Sequence, residues 1–183
     1  IYVNFDENLC AHSKNNKTGC TKCLDVCPAG AIQSVGDIVS VDPGICGGCG
    51  FCGSVCPSGA IQTDYPSLEI ILNTLSDLIN GFIRAGGKNP ALILSDKNYG
   101  NEMIGLISRH GNGLPANVIP YEMHSVGRVG HDILVSAIAL GFNKIFILLD
   151  PKNSDEYSFL PKQIELANSL LSGVAKNNNN SIS

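Results

Sequence analysis

All eight cysteines of this 183-residue chain lie within its first 56 positions, and six of them form two copies of Cys-x2-Cys-x3-Cys-Pro set 29 residues apart. Thiolates at two-residue gaps are metal ligands before they are anything else. A cubane of four irons and four sulfides presents its irons at tetrahedral corners. Gaps of two residues let one tight loop wrap around three corners while backbone N–H groups point at the sulfides. Cys46, Cys49, Cys52 and Cys56-Pro57 spell the whole run Cys-x2-Cys-x2-Cys-x3-Cys-Pro. The earlier copy, Cys20, Cys23 and Cys27-Pro28, lacks only the first member.

The repeat reaches beyond the cysteines. Gly30-Ala31-Ile32-Gln33 recurs as Gly59-Ala60-Ile61-Gln62, and Gly19-Cys20 as Gly48-Cys49. The position that matches Cys46 is Lys17, and Cys10 lies seven residues upstream of it. His12 to Gly19 is polar, without apolar periodicity, and reads as an insertion that loops out. Cys10 then either returns as the missing ligand or stays a plain buried thiol. Zinc fits poorly, because zinc knuckles separate two cysteine pairs by a longer stretch. A secreted disulfide framework fits less well still, since cysteines three apart on one tight loop bridge badly and no signal peptide precedes them.

With these motifs in place, residues 1 to 65 resemble the bacterial-type two-cluster (2x 4Fe-4S) ferredoxins. In that family the fourth cysteine of each run ligates the other cluster. The resemblance thus implies one cluster on Cys10, Cys20, Cys23 and Cys56, and a second on Cys27, Cys46, Cys49 and Cys52. It also implies an α+β ferredoxin-type dicluster fold, electron transfer, and redox protein partners of dehydrogenase, reductase or hydrogenase type. The gap before Cys10 is the departure from the pattern, and it bears on the geometry of the first cluster. Ile32, Ile38, Val39, Val41 and Ile61 alternate with polar or small residues, as short hairpin strands covering the clusters would.

A two-cluster ferredoxin does not use 183 residues. The remaining 118 are enough for an independent core. Three lysines stand against six acids in residues 1 to 65, and nine basic against ten acidic residues in the rest. The net charge of -4 therefore sits mainly on the cysteine-rich part. With no basic run and no interleaved aromatics, nucleic acid is not an expected partner. The longest apolar stretch, around Ile133 to Phe142, is too short to span a bilayer. The expected location is cytoplasmic.

Residues 66 to 176 read as a small α/β domain with a three-layer parallel sheet. Leu68, Ile71, Leu72, Leu75, Leu78, Ile79 and Phe82 recur at helical spacing before Gly86-Gly87. Ala91 to Ser95, Asn117 to Tyr121 and Lys144 to Leu149 read as strands, the last fully apolar as in a buried parallel sheet. Helices are expected at about Gly100 to His110, with Met103, Ile104 and Ile107 buried, then around Ile133 to Phe142, and from Pro161 to Ala175. Such a sheet leaves a crevice at its strand carboxyl ends, near Asp96, Lys97, Asn98, His124, Ser125, Gly127, Arg128, Asp150 and Lys152. Ser125-Val126-Gly127-Arg128-Val129-Gly130 leads from strand to helix and is the candidate ligand or docking loop. No dinucleotide or phosphate-loop glycine pattern accompanies it.

Residues 90 to 150 also bear a faint likeness to the delta-subunit domain of hydrogenases coupled to heterodisulfide reductase, in which a cysteine precedes a Gly-Arg-Val that opens a helix. Gly127-Arg128-Val129 matches, but His124 and Ser125 stand where the cysteine would be. That likeness implies a docking scaffold for electron-transfer partners, without a metal cluster of its own. His12 reads as a solvated loop histidine or one that tunes a cluster by hydrogen bonding. His110 closes a helix, and His124 and His131 flank the Gly-Arg-Val turn without an evident carboxylate partner. No serine sits in a nucleophile elbow.

The chain opens on Ile1 and closes on a polar tail, residues 177 to 183, expected to be flexible. It reads as a piece of a longer protein. The expected function is electron transfer through two 4Fe-4S clusters, as a ferredoxin-like protein or a module of a larger redox protein, and not as a stand-alone enzyme. The alternative is a subunit or fragment of an oxidoreductase whose α/β domain binds a small ligand or nucleotide.

Overall fold

The structure, a computed structural model, describes residues 2–12, 19–36, 38–174 and 181–182. Most of the expected polar insertion, with Lys17, lies outside them, as do residues 177–180 of the tail.

The first part is built from β1 (Val3–Phe5), α1 (Lys22–Val26), β2 (Ile32–Val35), β3 (Ile38–Val41), α2 (Phe51–Val55) and β4 (Ile61–Thr63). β1 pairs antiparallel with β4, and β2 with β3, setting Phe5 opposite Ile61 and Ile32 opposite Val41. The sequence repeat is also a repeat of geometry, since α1 and α2 are each five residues long. Both helices stop for the same reason. A residue before proline is pushed out of the helical region, and Cys27 (φ -74°, ψ 106°) and Cys56 (φ -72°, ψ 113°) take nearly the same extended conformation. Gly30 and Gly59 then turn the chain at φ +62° and +68°, a region that favours glycine. Val3, Ile32, Val39, Ala60 and Ile61 form a small buried core with Cys10 and Cys52.

α3 (Leu68–Arg84) begins where the Ser67 hydroxyl accepts the Ile70 N–H, and it buries Ile71, Leu75 and Ile79. There follow β5 (Ala91–Asp96), α4 (Tyr99–His110), β6 (Val118–Met123), α5 (His131–Leu140), β7 (Lys144–Leu148), α6 (Leu160–Val174) and the two-residue β8 (Ser181–Ile182). The sheet is parallel in the order β6-β5-β7-β8, so β8 adds a fourth short strand to the three expected. The chain steps from β5 to β6 and then back past β5 to β7. Right-handed crossovers therefore put α4 and α5 on opposite faces of the sheet. α5 packs against both α3 and α6. α4 packs against β5, and Ile107, expected on its buried side, is 38% exposed. α5 ends at Leu140 because Gly141 takes a left-handed cap (φ +115°), which folds Phe142 into the core.

The larger core is not confined to the α/β part. Phe51 and Val55 of α2 belong to it, together with Leu92, Leu94, Val126, Val129, Ile133, Leu134 and Phe142. Phe51 packs its ring 5.0 Å from that of Phe159 and 5.5 Å from that of Tyr157. α2 is thus two-faced, with Cys52 in one core and Phe51 in the other.

Candidate metal centre

Two cavities hold the eight cysteines. The first, with about 20 Å³ of free space, is lined by Cys10, Cys20, Cys23 and Cys56, with Phe5, His12, Ala60 and Ile61 among its walls. The second, with about 20 Å³ of free space, is lined by Cys27, Cys46, Cys49 and Cys52, with Val3, Ile32, Val41 and Phe51 among its walls. Each joins cysteines of one run to the proline-flanked cysteine of the other, because Cys27 and Cys56 leave their helices extended and cross to the facing half. Among the described residues, no group of three or more His, Cys, Asp or Glu side chains is gathered tightly enough for one metal ion. Four thiols spread around a largely apolar hollow are what a cubane's separated iron corners require.

None of the eight cysteines is in a disulfide. Burial pushes the Cys52 thiol up to about 12, helped by Cys49 and Cys46, and the Cys23 thiol up to about 11, helped by Cys20, Cys56 and Cys10. Cys49 is also raised, by burial and by Cys27 and Cys46, against an N–H bond from Phe51. Cys56 moves the other way. Burial raises it, but backbone N–H groups of Ile61, Ser58 and Ala60 and the Ser58 hydroxyl outweigh that and bring it down. These N–H donors favour the thiolate. Loading metal into either cavity must displace protons from thiols that burial holds neutral.

Cys10 reaches the first cavity through His12. The His12 N–H donates to Cys10 Sγ at 3.4 Å, Nδ1 lies 2.6 Å from the Cys20 carbonyl oxygen, and Nε2 lies 2.9 Å from Ser34 Oγ. The solvated loop histidine read from the sequence is therefore corrected. His12 is 4% exposed and ties the Cys10 segment to both the first cysteine loop and β2. A histidine two residues after the displaced cysteine was the available signal, but nothing in one dimension connects it to Ser34.

Ser125, Gly127 and Arg128 do not form an open loop. The Ser125 hydroxyl accepts the Gly127 N–H at 3.1 Å. Arg128 is 5% exposed; its Nε donates to Thr63 Oγ1 at 3.0 Å, and its Nη2 lies 2.9 Å from Asp132 Oδ2. Gly127 lies under Phe51, where a β-carbon would come within 1.8 Å of the ring, and a β-carbon on Gly130 would stand 2.6 Å from the Ser54 carbonyl oxygen. The segment is laid directly on α2. A cavity of about 150 Å³ remains beside it, lined by Gly48, Cys49, Tyr65, Tyr121, His124, Ser125 and Arg128, among others. Of the other strand-end residues, Asp96 accepts the Gly100 N–H at 3.1 Å and Asp150 accepts the Lys152 N–H at 2.9 Å, both local turn contacts. His124 is exposed, and His131 Nδ1 lies 2.9 Å from Gln163 Oε1. Thr63 and Asp132 carried no signal in the sequence, since their importance comes from Arg128 alone.

Comparison with known proteins agrees with the first half. Residues 17–60 match the family model described as a 4Fe-4S dicluster domain, about a quarter of the chain. Seven of the eight cysteines fall inside the match and Cys10 falls outside it. This part is a ferredoxin-like iron–sulfur segment, of the kind that transfers electrons. Neither the curated proteins nor the solved structures return a match to the chain. The likeness of residues 90 to 150 to the delta-subunit domain gains no support from these comparisons. Among the described residues no helix is long and apolar enough to cross a membrane.

Proposed function

We propose that the chain is an electron-transfer module with two 4Fe-4S clusters, one held by Cys10, Cys20, Cys23 and Cys56 and the other by Cys27, Cys46, Cys49 and Cys52. The observation that carries this reading is the pair of cavities, each walled by four cysteines drawn from both halves of the repeat. When bound, each cluster takes up and gives up one electron. The chain supplies the thiolates, directs N–H groups at sulfur as around Cys56, and keeps water away with Ile32, Val39, Phe51 and Ile61. In this reading residues 1–65 are the cluster-bearing domain, residues 66–176 a scaffold that meets redox proteins of dehydrogenase, reductase or hydrogenase type, and the setting a reducing cytoplasm that keeps the thiols free.

The test is iron and sulfide content after anaerobic reconstitution, with EPR of the dithionite-reduced protein. About eight irons with two interacting cubane signals are expected. About four irons in the wild type would refute the two-cluster assignment. Cys10→Ser should lose one cluster and keep the other; full iron content in that variant would remove Cys10 from the ligand set.

A second reading rests on the cavity of about 150 Å³ between Cys49 and the carboxyl end of β6, where a small ligand or the phosphate end of a nucleotide would lie beside the second cluster. Titration with flavin, nucleotide or inorganic phosphate, followed by thermal shift, tests it. No stabilisation by any of the three would dismiss it.

A further inference from the structure

Among the described residues, Arg128 and Asp132 form the one ion pair, and its two ends differ in exposure: the arginine side chain is 6% exposed, the aspartate 26%. The arginine stem fills the space above the second cysteine loop. A β-carbon at Gly50 would stand 2.8 Å from Arg128 Cβ, and one at Gly53 would stand 3.7 Å from Arg128 Nε. Gly50 follows Cys49 and Gly53 follows Cys52, and Cys49 and Arg128 share the walls of one cavity. The buried arginine therefore adjoins the residues that follow two of the four thiols of the second site, its stem at Gly50 and its Nε at Gly53. At the first site, among the described residues, the lysine in the cavity wall is Lys22, which is exposed and hence screened by water.

A connection between two packed segments does not need a charge. Burying a guanidinium carries a desolvation cost that an apolar side chain of similar size would avoid. What the charge does add is an electrostatic asymmetry. Reduction places one more negative charge on the second site, with no bond made or broken, and a cation in a low-dielectric wall stabilises that state. The more exposed carboxylate offsets part of the effect.

We propose that Arg128 and Asp132 are a positioning pair that sets the reduction potential of the Cys27, Cys46, Cys49 and Cys52 site, Arg128 raising it and Asp132 tempering it. The proposal rests on the two-cluster reading and adds a residue-level cause for unequal potentials.

The experiment is an anaerobic redox titration of the reconstituted full chain, followed by EPR, for wild type, Arg128→Met, Arg128→Lys and Asp132→Asn. Arg128→Met should lower one of the two midpoints, with a fall on the order of tenfold in the reduced-to-oxidised ratio at fixed potential, ~59 mV for a one-electron couple. Asp132→Asn should raise the same midpoint. Arg128→Lys should hold it near the wild-type value, and the other midpoint should stay put in all three variants. A purely structural role predicts shifts of one sign in both charge-removing variants, as loosening admits water to the loop; that result, or no shift in either, overturns the proposal. If Arg128→Met fails to hold iron, Asp132→Asn is read against the charge-conserving Asp132→Glu: a rise in the first that the second does not share supports the proposal, and a rise in both, a fall or no change in the first overturns it. A wild type that shows only one cluster overturns the two-cluster reading together with this one, whereas two wild-type midpoints insensitive to the substitutions overturn this one only.

Discussion

Gly127→Ala tests whether the α/β part is built onto the cysteine-bearing helix. A β-carbon at Gly127 would lie 1.8 and 2.0 Å from two carbons of the Phe51 ring. The ring would have to withdraw about 1.6 Å to restore an ordinary contact of 3.4 Å. Phe51 is 3% exposed and packed against Tyr157 and Phe159, so the ring can yield only by giving up those contacts or by pressing into the cysteine cavity whose wall it forms. Overpacking of this kind costs about 2 kcal/mol, and at this chain length that lowers the melting temperature by ~4–8 °C. Gly81→Ala is the control. It lies within α3, nothing stands within 4 Å of its new β-carbon, and exchanging glycine for alanine in a helix is neutral to stabilising by up to ~1 kcal/mol. Thermal unfolding of the iron-free chain reads both variants, and Phe51→Leu combined with Gly127→Ala should recover part of the loss through a favourable coupling. A Gly127→Ala protein that melts with wild type would refute the packing of residues 126–130 on α2.

His12→Ala should speed iron loss from the first site while sparing the second, because the Cys10 segment then keeps no side-chain tie to the Cys20 carbonyl or Ser34; chelator challenge followed by EPR shows which signal fades first. Leu134→Ala, at a fully buried position on α5, should destabilise the chain by about 3 kcal/mol in urea unfolding, and a loss below ~1 kcal/mol would mean that the site relaxes around the cavity. Removing iron should lower the melting temperature of the reconstituted protein, since metal bound only by the folded chain stabilises it; equal melting with and without iron would place the cysteine loops outside the cooperative unit.

Much of the first half was legible because cysteine spacing is a local property. The 29-residue repeat, the Cys-Pro pairs and the alternating short strands each depend on a local pattern, and the structure shows strands where that pattern put them, whereas the two short helices that end at the Cys-Pro pairs were not read from it. The three parallel strands and the helices of the second half were legible for the same reason, from apolar periodicity and glycine stops. Ile107 was misread as buried because periodicity reports which face of a helix is apolar, not how much of the sheet that face reaches.

The chain by itself therefore determined the sulfur chemistry, the duplication and the order of helices and strands over residues 66 to 176. Only the tertiary structure decided that His12 is a tie, that Ser125 to Gly130 lies closed against α2, and that Thr63 and Asp132 complete the surroundings of Arg128. Ser34 is 22 residues from His12, and Thr63 is 65 from Arg128. A hydrogen bond over such separations leaves no periodic trace in the sequence, because it exists only once burial has brought the two backbones together and left the polar side chains no water to bond instead.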